Sequence, residues 1–364
     1  MKWIHGAGCL LAALALAASA AGRVQGPCAD CHTMHESQDG GPVAAGGPHP
    51  ALTRNDCVGC HSNAGSATIV QLGGGERVPI VNNAAEPAYP PDGSPSSVLA
   101  GGNFHWVAAG DDTKGHNVRG ISAADQFLSE APGRLLGYCG DTSCHVSLTL
   151  PDPSPEEPNG CQGCHQTTRH HGTDPPGEPV PAEGGWYRFL SNPVGHAGFG
   201  GRGVLGIEDP DWEQAPTPAA HNIYYGGDGS DTEYPQSISK FCAGCHYHFH
   251  SPGFPTEWWG TDNGGGDSPW LRHPTNYAIP LDGEFAPLFD NATAYNPLVP
   301  VAKPNLAAFD AARIEPGDQV ACVSCHRAHG SPYPDMLRWD YQGCAADVPN
   351  PDCGCFFCHT QKDG

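Results

Sequence analysis

The stretch CADCHTMH, residues 28–35, decides how this chain is read. Two cysteines separated by two residues, with a histidine directly after the second, form the spacing that attaches a c-type haem. The two thiols reach the vinyl groups on one edge of the macrocycle, and the adjacent imidazole swings beneath the ring to the iron. The frame of Cys28, Cys31 and His32 recurs at Cys57-Cys60-His61, Cys161-Cys164-His165, Cys242-Cys245-His246, Cys322-Cys325-His326 and Cys355-Cys358-His359. Structural zinc also uses cysteine and histidine, but it takes four ligands from paired knuckles and does not require a histidine after every second cysteine. Haem attachment accounts for that histidine and zinc does not.

The segment LGYCGDTSCHVS, residues 136–147, departs from the frame because Cys139 precedes Cys144 by five positions instead of three. Cys144-His145 nevertheless ends like every other site. Gly140, Asp141 and Ser143 permit the bulge that would bring both sulfurs to one ring. A seventh haem c is expected here, the alternative being two ordinary cysteines. Of the 17 cysteines, Cys344 and Cys353 then remain, within one Gly/Pro/Asp loop, and Cys9 lies near the N-terminus. A local disulfide between Cys344 and Cys353 is expected in an oxidising compartment.

Residues 1–20 read as a secretory signal: Lys2, an apolar run, then the small residues Ala18, Ser19 and Ala20. Secretion to the extracellular space or outer cell surface follows, with the periplasm as the alternative. No later stretch is long and apolar enough to be a transmembrane segment. The formal net charge of −22 argues against nucleic acid as a partner. Gly 49 and Pro 37 out of 364 residues leave little material for ordinary elements. The expected fold is therefore mostly irregular loop with short helices, organised around a continuous haem chain whose rings pack on one another and replace the missing apolar core. Residues 21–364 are expected to form a single elongated domain with sub-regions at about 21–138, 139–241 and 242–364. Helices are expected at 123–131 and 304–313, short turns at each attachment site, and a strand in ATIVQL.

Met34 and Met336 are too few to supply His/Met haems, so histidine is expected on both faces of each iron. The spare histidines are His35, His49, His105, His116, His170, His171, His196, His221, His248, His250, His273 and His329. His35, His250 and His329 follow their own proximal histidine by three or four residues. A loop held on the proximal side does not readily cross to the distal face, so these three are expected to reach a neighbouring iron. His116, His221 and His273 lie in long loops that can fold back over a ring. Of the adjacent His170 and His171 only one is expected to bind, and His171 stands in the expected set. His49, His105 and His248 are expected at the surface or on a propionate, and His196 is a weaker candidate.

At CADCHTMH, CVGCHSNAG, GGNFHWV, KGHNVRG, CAGCHYHFH, LRHP, CVSCHRAHGS and the terminal CFFCH, the sequence resembles the extracellular multihaem c-type cytochromes of metal-respiring bacteria, in particular the filament-forming ones. The resemblance runs in order over most of the chain. It implies bis-His haems in alternating stacked and T-shaped arrangement, and electron transfer from cell to mineral or electrode. It also implies His35, His116, His250, His273 and His329 as distal ligands. Hexahaem filament cytochromes carry a histidine ahead of the first attachment site that ligates iron in the adjacent subunit; GRVQGP has none, which leaves His35 as the first choice for that role.

Three functions compete. An electron conduit with no catalytic residues would partner neighbouring haem proteins or copies of itself and deliver electrons to metal oxides or electrodes. A monomeric periplasmic shuttle would carry the same haems without polymerising. A multihaem reductase would need a five-coordinate iron, and no Cys-x-x-Cys-Lys variant is present.

Overall fold

The computed structural model describes residues 24, 26–38, 41–43, 49–133, 148–149, 159–165, 168–171, 187–190, 203–227, 236–246, 249 and 273–362. Regular elements are short. Helices at Cys28–Cys31, Cys57–His61, Ile238–Cys242, Cys322–Cys325 and Gly354–Cys358, with a 3-10 turn at Gly160–Gly163, coincide with attachment sites, and His105–Ala108 forms a further turn. No helix among the described residues is long and apolar enough to cross a membrane.

The largest sheet has five two- or three-residue strands in the order Gly206–Ile207, Ile223–Tyr225, Ala302–Lys303, Gln319–Val320 and Tyr277–Ala278. Ala302 pairs in parallel with Tyr224 and antiparallel with Gln319. Segments nearly a hundred residues apart are thereby tied to one ladder. The expected strand in ATIVQL forms at Ile69–Gln71 and pairs antiparallel with Arg77–Pro79 across a Gly-rich turn in which Gly75 has φ +98°.

The two expected longer helices do not form. In 123–131 the Asp125 carboxylate accepts from the Phe127 and Leu128 amides at 2.7 and 2.8 Å. In 304–313 Asn305 accepts from the Ala307 amide at 2.8 Å and Asp310 from the Ala312 amide at 2.9 Å. Asp and Asn side chains here take the amides a helix would need, and the chain turns instead.

Apolar packing is divided into small clusters. Tyr187, Leu190, Val204, Tyr224, Ile238, Ala302 and Ala321 form one, with Phe241 and Val323 packed against it. Ile279, Leu288, Tyr295, Val301 and Ile314 form another, which meets Phe357 and Cys358. Phe104, Val107 and Val118 contact Cys161. Val299, Trp339 and Cys353 contact Cys325 and Cys355. Each cluster ends at or beside an attachment cysteine. Cys344 and Cys353 are disulfide-bonded, with Cα atoms 5.4 Å apart, as their shared loop led us to expect.

Candidate functional site

Each attachment site among the described residues is a single helical turn. The histidine amide donates to the carbonyl of the first cysteine four residues back: His32 to Cys28 at 2.8 Å, His165 to Cys161 at 2.8 Å, His246 to Cys242 at 3.0 Å, His326 to Cys322 at 3.0 Å and His359 to Cys355 at 2.9 Å. Positions i, i+3 and i+4 of such a turn share one face. Both thiols and the imidazole thus reach the same side of the backbone. Asp56 caps the Cys57–His61 turn by accepting from the Gly59 amide at 2.7 Å.

Seven of the described imidazoles are held in one tautomer. Nδ1–H donates to a backbone carbonyl in His32 (Ala51, 2.9 Å), His61 (Pro79, 2.7 Å), His165 (Arg188, 2.7 Å), His246 (Pro132, 2.8 Å) and His326 (Asp335, 2.7 Å). His116 does the same to Ala328 at 2.7 Å and His273 to Pro274 at 3.0 Å. His359 Nδ1 faces the Glu284 carboxylate at 3.3 Å. A ring whose Nδ1 donates in this way offers the lone pair of Nε2 to a metal, and the acceptor fixes its orientation. Burial favours the neutral ring at the more enclosed positions: it pushes His246 down to about 4 and His329 down to about 3, and lowers His116, His165, His170, His273 and His326.

Proximal and spare histidines meet in pairs. Ring centres are 6.0 Å apart for His32–His171, 6.2 Å for His61–His170, 6.1 Å for His116–His246, 6.1 Å for His165–His329 and 6.2 Å for His273–His359. Their interplanar angles are 18°, 18°, 54°, 54° and 80°. Direct stacking ties distance to angle, whereas a metal between two nitrogens fixes the distance and leaves the angle free. Two metal–imidazole bonds of about 2.0 Å, with roughly 1.1 Å from nitrogen to ring centre on each side, give a separation of roughly 6.2 Å. The donor set fits bis-imidazole iron, with two thiols beside each proximal ring to hold a porphyrin.

The thiols also define a sequence of sites. Cys31 adjoins Cys60, and Cys57 and Cys161 share a hydrogen bond. Cys164 faces Cys245, Cys242 and Cys322 share a hydrogen bond, and Cys325 faces Cys355 and Cys358. Successive described sites therefore lie close to one another in chain order. Burial pushes Cys164, Cys325 and Cys358 up to about 12.

Several expectations change. His221 was expected to bind iron, but its Nδ1 lies 2.8 Å from the Asn222 carbonyl and its Nε2 lies 2.9 Å from the Ala311 carbonyl, so neither nitrogen is open. Its ring stacks on Tyr295 at 4.0 Å and 8°, a structural packing. Only one of His170 and His171 was expected to bind. Both face a proximal ring, because consecutive residues here reach two neighbouring sites. His35 is exposed, in a left-handed turn with φ 54°. For His326 no facing imidazole lies among the described residues. The 1–20 segment, Cys139, Cys144, His145, His196, His248 and His250 lie outside them.

His105, expected at the surface or on a propionate, is half-buried, and its Nδ1 meets the Asn83 carbonyl at 2.9 Å in the same manner as the locked rings. It borders a cavity of ≈ 490 Å³ lined by Ser62, Asn63, Asn82 and Asn83. Sequence reasoning missed Glu284 behind His359, because the two are 75 residues apart and only folding brings them together.

Comparison with known proteins gives a consistent result. Residues 315–364 match the doubled CXXCH motif family. The C-type cytochrome OmcS of Geobacter sulfurreducens is 25% identical over 379 residues, covering 86% of this chain and 78% of that protein. The outer membrane cytochrome S filament from Geobacter sulfurreducens superposes with TM-score 0.54 at 20% identity, covering 94% of this chain and 92% of its own. A cryo-EM structure of OmcS nanowires gives 0.51 at 19%, covering 94% and 93%. The chain is similar in sequence to OmcS and shares the fold of the OmcS filament structures, with short elements and long irregular segments arranged on CXXCH sites.

Proposed function

We propose that this chain is an extracellular, outer-surface electron carrier that works as a filament of its own copies. The observation that carries the reading is the set of five histidine pairs at 6.0–6.2 Å, in each of which the proximal ring has its Nδ1 held by an acceptor. Likeness to OmcS, a subunit of filaments, supports self-assembly and an outer-surface location.

In this reading Cys28/Cys31, Cys57/Cys60, Cys139/Cys144, Cys161/Cys164, Cys242/Cys245, Cys322/Cys325 and Cys355/Cys358 each hold one haem c, seven in all. His32, His61, His145, His165, His246, His326 and His359 are the proximal ligands. His116, His170, His171, His273 and His329 supply distal ligands, and His250 and His35 serve the remaining sites, His35 by donation to a neighbouring copy. The haem supplies a reversible one-electron couple. The protein's own contribution would be to offer two histidines to each iron, which would leave none open for substrate, and to hold the proximal imidazoles by their Nδ1 acceptors so that little would reorganise when the charge changes. Contact between consecutive attachment sites keeps each electron step short. Metal oxides or electrodes are the terminal acceptors we assign.

Intact mass of the secreted holoprotein together with negative-stain microscopy tests the reading. Seven haem additions and micrometre-scale fibres are expected. Six additions would return Cys139 and Cys144 to ordinary thiols, and a uniform monomer would favour the shuttle. Carbon monoxide binding by the reduced protein would overturn closed bis-His ligation in favour of a reductase.

A further inference from the structure

The last two attachment sites pack against one apolar cluster, yet they sit in opposite electrostatic surroundings. Two guanidiniums lie buried beside the Cys322–His326 site. Arg338, 6% exposed, donates its backbone amide to the Cys325 carbonyl at 2.8 Å and its Nε to the Val323 carbonyl at 2.6 Å. Its Nη1 and Nη2 are buried without a hydrogen-bond partner. Arg327, 2% exposed, directly follows His326 and meets only neutral acceptors: the Leu99 carbonyl at 3.1 Å, the Ala100 carbonyl at 2.9 Å and the Tyr89 hydroxyl at 3.2 Å. Neither pairs with a carboxylate among the described residues. Glu213 faces Arg338 from beyond ion-pair range, and Asp335, whose carbonyl holds His326, is exposed to solvent. Repulsion between the two arginines adds to the cost of burial. A guanidinium retains its charge under such strain.

At the neighbouring site the sign reverses. His359 Nδ1 faces the Glu284 carboxylate at 3.3 Å, where the other locked rings face a carbonyl. Glu284 Oε2 is buried without a partner. A carboxylate behind a ligating imidazole raises the ligand's basicity and favours the oxidised metal. An unpaired buried cation favours the reduced one, and its field is poorly screened away from water. Arg188, behind His165, provides a contrast: it reaches Glu208 at 3.9 Å and Asn222 at 2.7 Å.

We propose that Arg338 and Arg327 raise the reduction potential at the Cys322–His326 site while Glu284 lowers it at the Cys355–His359 site, building a potential step between two adjacent haems. The chain is then not an even conductor: an electron rests at Cys322–His326 in preference to its C-terminal neighbour. This rests on the reading that both sites hold bis-His haem.

Spectroelectrochemical titration of the holoprotein tests it, with haem count by mass and spin state by visible spectrum measured on the same samples. Arg338→Gln is expected to move one titrating component to lower potential, with Arg338→Lys restoring most of the shift. Glu284→Gln is expected to move a different component to higher potential, and it reads the low end even where Arg338→Gln yields no holoprotein. Unmoved components, or shifts of the opposite sign, with seven low-spin haems in place overturn the inference and leave the functional reading intact. A missing haem or high-spin iron at these sites in the parent protein overturns both.

Discussion

The N-terminal sites at Cys28 and Cys57 and the C-terminal sites at Cys322 and Cys355 share one motif and are held in different ways. Neither N-terminal turn buries a side chain of its own, and Cys28 and Cys60 are exposed. Their facing histidines are the consecutive His170 and His171, so one short piece of chain closes both. The C-terminal sites adjoin two apolar clusters, a disulfide and the five-stranded sheet. At one end two consecutive histidines face both sites, whereas at the other the sites adjoin apolar clusters of the polypeptide.

Replacing both His170 and His171 by Ala should break this contrast most severely. Two irons should become high-spin, and the first sixty residues of the described chain should become protease-sensitive. His273→Ala should open a single iron and leave its surroundings folded. Visible spectra and limited proteolysis of the two variants check this, and loss of only one low-spin iron in the double variant would contradict shared closure.

Lys303→Met probes the C-terminal core. Lys303 is 1% exposed and donates to Asp318 at 2.7 Å and to the Arg313 carbonyl at 2.8 Å. Removing it strands a buried carboxylate, at a cost of about 3–5 kcal/mol. Denaturant melts of the holoprotein should show the C-terminal region unfolding first. Replacing Cys344 and Cys353 by Ser should cost less, about 2–3 kcal/mol, because the closed loop is short, with a sequence separation of 9. Asp56→Ala should cost least, about 1 kcal/mol, through loss of the cap on Gly59. It should lower the thermal midpoint without changing haem content.

The attachment frame, the loop-rich character and the surplus of histidine were all legible because they rest on residue type and spacing. Helix prediction at 123–131 and 304–313 failed where Asp125, Asn305 and Asp310 capture local amides, a competition that apolar periodicity does not record. Which spare histidine meets which ring was only partly legible. His116 and His273, in loops expected to fold back over a ring, face His246 and His359, and His329, expected at the iron next to its own site, faces His165. His221 does not, because whether a ring faces open space or two carbonyls depends on tertiary packing, here against Tyr295 and Ala311. Adjacency of His170 and His171 suggested competition for one iron. The two neighbouring sites lie close enough for each to take one.

Near-infrared magnetic circular dichroism of the oxidised holoprotein reads the axial ligand pair of ferric haem and tests the central claim most directly. The paired imidazoles at 6.0–6.2 Å predict bis-histidine signal from the haems at Cys28, Cys57, Cys161, Cys242 and Cys355. A high-spin or histidine–methionine signal from any of these five would contradict it.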